Sequence, residues 1–218
     1  MPIRAKYTLG KTRPSATRQF TNRKEFIQIF QKSVKESQQE KHHILTFYGV
    51  GGIGKTSLRK KLVRLLEKNT TGIVSAVLDF EVPRFREQET ALFVLRKLLK
   101  KRYKVQFPTF DIAYAVYWRK TRPQIPMNKE NFPILGEGGV IGDMISIVGT
   151  LSGVPMIGLV MKAGKLMLKA QKYLQDWWIK RGKQELSTLS QFEPKEIAER
   201  LPMYWAADLK DHLRQKKL

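Results

Sequence analysis

The sequence predicts an α/β fold, a βαβ core with a short parallel sheet followed by a largely helical region. Three observations carry that expectation. Residues 44–48, Ile-Leu-Thr-Phe-Tyr, are a β-prone run that leads directly into a glycine-rich loop. After the loop, Leu58, Leu62, Leu65 and Leu66 mark the apolar stripe of a helix. Residues 73–78 then form a second apolar run without alternation, which suits a parallel strand covered on both faces.

The elements follow in order. Residues 1–19 read as a basic flexible leader. From Asn22 the pattern turns helical, because Phe26, Ile29, Phe30 and Val34 share one face. Asn22 and Glu25 have the spacing of a capping box, and the polar run 36–41 ends the helix. Strand, loop, helix and strand between residues 44 and 78 make one βαβ unit with an expected right-handed crossover. After Pro83 the chain reads as helix or loop. Leu92, Leu95, Leu98 and Leu99 mark one helix, and Ile112 to Trp118 begin another. Pro123, Pro126 and Pro133 mark a loop, with Gly136, Gly138 and Gly139 beyond it. A basic helix is expected over residues 162–180. Pro194 suits the first turn of a last helix carrying Leu201, Trp205, Leu209 and Leu213. The organisation is thus a leader (1–19), a phosphate-binding core (20–83) and a helical region (84–218), with a glycine-rich apolar insertion near 136–161.

Residues 144–161 carry no charge over 18 positions, close to the length of a membrane span. Gly149, Gly153, Pro155 and Gly158 interrupt them, so a buried hairpin or insertion is expected instead. Forty-one Lys and Arg against 19 Asp and Glu give a formal charge of +22, a field that attracts phosphates, nucleic acid or anionic lipid. Solvated helix faces are the plainer account, since no recognised nucleic-acid reader accompanies the charge. Cysteine is absent, which removes disulfides and thiolate metal sites. No secretory signal is visible, and a cytoplasmic location is expected.

Gly49-Val50-Gly51-Gly52-Ile53-Gly54-Lys55-Thr56 satisfies G-x-x-x-x-G-K-[ST], the P-loop pattern. Its glycines let successive amides turn toward a phosphate. Lys55 would reach the β- and γ-phosphates, and Thr56 would complete part of a Mg²⁺ shell. Ser57 follows on the first turn of a helix whose N-terminus favours an anion. The expected cofactors are therefore ATP and Mg²⁺. Asp79, after the second apolar run, is either a metal-associated carboxylate or a strand-end residue. No later apolar run ends in paired acidic residues, so little turnover is expected. His42, His43 and His212 lack metal-ligand spacing, and the four tryptophans fit core or interface packing.

The loop sequence resembles that of STAND NTPases, signal-transduction ATPases related to AAA+ and NB-ARC proteins. Phe20-Thr21-Asn22-Arg23-Lys24-Glu25 resembles their entry box, with Asn22 where glycine is usual. Residues 107–118 and 201–213 are also similar to stretches in bacterial members. The resemblance implies that Arg23 lies near the nucleotide. It implies an ATP-binding module acting as a nucleotide-dependent switch, truncated before Walker B, with a nucleoside triphosphate as partner. It further implies a homo-oligomer or a missing C-terminal effector region, and ATP hydrolysis only if Walker B elements complete the site. The alternative is a basic module for nucleic acid or anionic membrane, with a vestigial P-loop; membrane is the less favoured partner.

Overall fold

The computed structural model describes residues 23–37, 43–69, 73–150, 164–168, 170–189 and 191–215. The leader at 1–19, Phe20, Asn22 and residues 151–161 of the insertion lie outside the described residues. The chain divides into two compact units, Met1–Ile73 and Val74–Leu218.

In the first unit, α1 spans Lys24–Ser37 and α2 spans Lys55–Asn69. Residues 43–48 between them take no regular secondary structure. Two contacts lay this segment along α1. His43 Nε2 stands 3.0 Å from Glu36 near the helix C-terminus, and the Phe47 ring meets Phe26 edge-on at 5.6 Å near its N-terminus. The amphipathic stripe of α1 nevertheless has no buried residue, and Phe26 and Ile29 are exposed.

In the second unit, α3 (Gln88–Tyr103), α4 (Pro108–Thr121) and α5 (Gly139–Thr150) precede α6 (Lys172–Trp177) and α7 (Lys183–Leu189). The last helix, α8, spans Pro194–Gln215. A π-helical segment, Trp178–Gly182, joins α6 to α7. Short 3₁₀ turns cover Pro83–Arg86 and Pro133–Glu137. The basic helix expected over 162–180 is therefore not continuous, because Gln171 is extended at the start of α6.

Helix α4 is the centre of this unit. Phe110, Ile112, Ala113, Ala115, Val116 and Trp118 are all buried, and α3, α5, α7 and α8 surround it within one core. Pro108 starts the helix without needing a donor, but no local side chain caps it. The cap comes from α8 instead: buried Asp208 accepts the Phe110 N–H at 2.8 Å. A second long-range device serves α8 itself. Pro202 lies inside that helix and lacks the N–H that would bond Ala198 O; Gln88 Nε2 donates to that carbonyl at 3.1 Å.

The π segment brings Gly182 under the Trp177 ring. A Cβ at Gly182 would stand 2.8–2.9 Å from three ring carbons. The ring cannot simply retreat, since Trp177 Nε1 donates to Thr109 Oγ1 at 2.8 Å. Gly182→Ala is expected to cost about 1–3 kcal/mol, read as a lowered melting temperature with helical content retained.

The expected sheet is absent. Among the described residues there is no β-strand, and neither residues 44–48 nor residues 73–78 are assigned to one. These two runs fall in different compact units, apart from Ile73 itself. The Ser75 N–H is satisfied by the Tyr103 hydroxyl at 3.3 Å, and Val74 packs on the helical core. This corrects the α/β fold class, and with it the STAND resemblance, because a βαβ core needs a parallel ladder. No helix among the described residues is long and apolar enough to cross a membrane.

Candidate functional site

The glycine-rich loop is present without the sheet that was expected to carry it. Gly49, Gly52 and Gly54 have φ values of +153°, +80° and +87°. A Cβ at Gly49 would also meet the Ile53 Cδ1 methyl, but that exposed side chain can swing aside, so the backbone conformation is what calls for glycine there. Helix α2 begins at Lys55, so Thr56 and Ser57 lie exposed on its first turn. Lys55 Nζ donates to the carbonyls of Gly49 and Val50, at 2.6 and 3.0 Å. Arg23 Nη2 donates to Ile53 O. The structure thus brings Arg23, Lys55 and the loop together: two cations clasp its carbonyls while Val50, Gly51, Gly52 and Ile53 stay exposed.

Asp79 lies in the other unit, in a turn where its Oδ1 accepts the Glu81 N–H at 3.1 Å. Among the described residues no group of three or more His, Asp or Glu could hold a metal ion. The Mg²⁺ expectation, with Thr56 and Asp79 as ligands, is not supported. ATP, the nucleoside-triphosphate partnership and the signalling switch are overturned with the sheet. A P-loop presents its amides from the end of a hydrogen-bonded strand, and residues 44–48 have no ladder.

The charge is concentrated. Residues 1–73 hold 16 of the 41 Lys and Arg but only 4 of the 19 Asp and Glu. Helix α2 buries Leu58 and Leu62 and exposes Arg59, Lys60, Lys61 and Arg64. Its acidic member is Glu67. Lys60 and Lys61 stand at i, i+4 and i, i+3 spacing from Arg64, so these three share one basic face with Arg59 toward its edge. The helical stripe already placed these residues opposite the leucines, but the concentration in one compact unit is a tertiary fact.

The buried ionisable groups lie in the second unit and serve its fold. Arg96 is fully buried and donates to both oxygens of Asp111, at 2.7 and 2.5 Å. Its third nitrogen bonds Glu137, which also receives Lys100 at 2.6 Å. Burial opposes the Arg96 charge, but the Asp111 and Glu137 carboxylates outweigh it and hold the guanidinium protonated. At Glu137, bonds from Arg96 and Lys100 overcome partial burial and pull the carboxyl below its usual range. Asp208 receives Arg181 at 2.5 Å as well as the Phe110 amide. All of these carboxylates are partnered.

A scan against protein-family models finds no match, and neither do comparisons with curated proteins and with solved structures.

Proposed function

We propose that Met1–Ile73 is a polyanion-binding module whose ligand is the phosphate backbone of nucleic acid. The observation that carries this reading is the exposed face of α2, with Lys60, Lys61 and Arg64 together and Arg59 toward its edge, in a unit strongly depleted of acidic residues. Such a face tracks successive phosphates and gains affinity by releasing their condensed counterions. Gly49, Val50, Gly51, Gly52, Ile53, Gly54, Lys55, Thr56 and Ser57, with Arg23, would receive one backbone phosphate at the start of the same helix. Lys55 would exchange its loop carbonyls for that anion, and the α2 N-terminus would add its dipole. A cytoplasmic setting accords with the absence of cysteine.

Salt titration tests the module. Nucleic-acid affinity of the full chain should fall linearly on logarithmic axes as salt rises. The variant Lys60→Ala/Lys61→Ala/Arg64→Ala should bind more weakly and lower the slope by up to about 3. Affinity that ignores salt, or a triple variant indistinguishable from wild type, overturns the proposal.

A further inference from the structure

Tyr48, immediately before the glycine loop, is 89% exposed. The neighbouring Phe47 ring packs on Phe26, whereas the Tyr48 ring stands open to solvent. The next carbonyl along, that of Gly49, accepts the Lys55 ammonium at 2.6 Å. A cation is therefore held one peptide away from an open aromatic ring. Val50, two residues further along, is 75% exposed.

From this arrangement we infer that the ligand is single-stranded nucleic acid and that Tyr48 is a platform on which one unpaired base stacks. The inference rests on the polyanion reading above and adds a strand preference to it. A phosphate-binding face alone gives no preference for the single strand, because the duplex carries the denser backbone charge. A base in a duplex has its faces covered by neighbouring base pairs. An unpaired base offers a free face to an aromatic ring, and the contact tolerates any sequence. Lys55 and Arg23 then meet the phosphate of the nucleotide whose base covers the ring, with the α2 face following the strand onward.

The experiment uses the full chain and three probes: a fluorescent oligothymidylate, a duplex of equal length, and inorganic polyphosphate, which has charge but no bases. The wild-type chain should prefer the oligothymidylate over the duplex. Tyr48→Ala should weaken oligothymidylate binding by about five- to a hundredfold while leaving duplex and polyphosphate binding unchanged, and Tyr48→Phe should restore it. Unchanged helical circular dichroism shows that the variants fold. Equal losses on polyphosphate, no loss on the oligothymidylate, or preference for the duplex would each overturn the stacking role while leaving the polyanion module standing. Failure of all three probes to bind in low salt removes the module and this inference together. Capture by anionic vesicles that the oligothymidylate cannot displace would assign the exposed ring to a membrane surface and also overturn the inference.

Discussion

Asp111→Ala is expected to destabilise the second unit by about 3–5 kcal/mol, toward the lower end of that span. The loss is large because Arg96 is fully buried and would keep its charge with both Asp111 bonds gone. Glu137 still holds one nitrogen, which limits the damage, but that carboxylate is partly exposed and shared with Lys100. Removing both charges is a different change. Arg96→Met/Asp111→Leu leaves no buried ion and fills similar volume, so it should recover most of the stability. Urea unfolding of wild type, both single variants and the double variant measures the coupling between the two sites. A single variant losing under about 1 kcal/mol would match an exposed pair and contradict the buried geometry.

The second large effect is a pH dependence through Asp208. Burial pushes this carboxyl up to about 8, against the opposing pull of the Phe110 N–H and Arg181. Thr109 also bonds it, and Asp111 adds like charge nearby. Tyr173, raised by burial and then by Asp208 and Asp211, stays neutral through the range. The sign follows from linkage. A folded value above the unfolded one means that the native state binds the proton more tightly. This contribution to stability is full below the unfolded value near 3.8 and is lost as pH rises to about 8. Asp208→Asn keeps an acceptor for the Phe110 amide and does not titrate. Its stability relative to wild type should therefore rise steadily between about pH 4 and about pH 8, then level off. Urea unfolding across that range checks it. A constant difference at every pH would show that Asp208 does not titrate there.

Both effects arise from contacts that no local pattern announces. Arg96 lies four residues after Leu92 and three before Leu99, on the apolar stripe of α3, but its spacing names no partner. Asp111 interrupts an apolar run in α4 and reads locally as an ordinary acidic residue in a first turn. Only their meeting, with both side chains buried, makes them a pair. Asp208 caps a helix 98 residues earlier in the chain, a separation that capping rules based on adjacent residues do not address. The glycine loop is the reverse case. Its positive φ values and the helix starting at Lys55 follow directly from its residues. Its setting does not, because a glycine turn ahead of a helix can form without a sheet.

By itself the sequence determined where α3, α4 and α8 form, because apolar periodicity and prolines act over a few residues: the stripes of α3 and α4 and the start of α8 at Pro194 are local properties. It also determined the glycine turn and the opposition of leucines to cations on α2. Tertiary structure alone decided whether the two β-prone runs would pair. Propensity favours an extended segment, but a strand needs a second one to pair with, and among the described residues none is formed. It likewise decided which charges were buried together, since only packing removes the water that would otherwise keep Arg96, Asp111 and Asp208 apart and solvated.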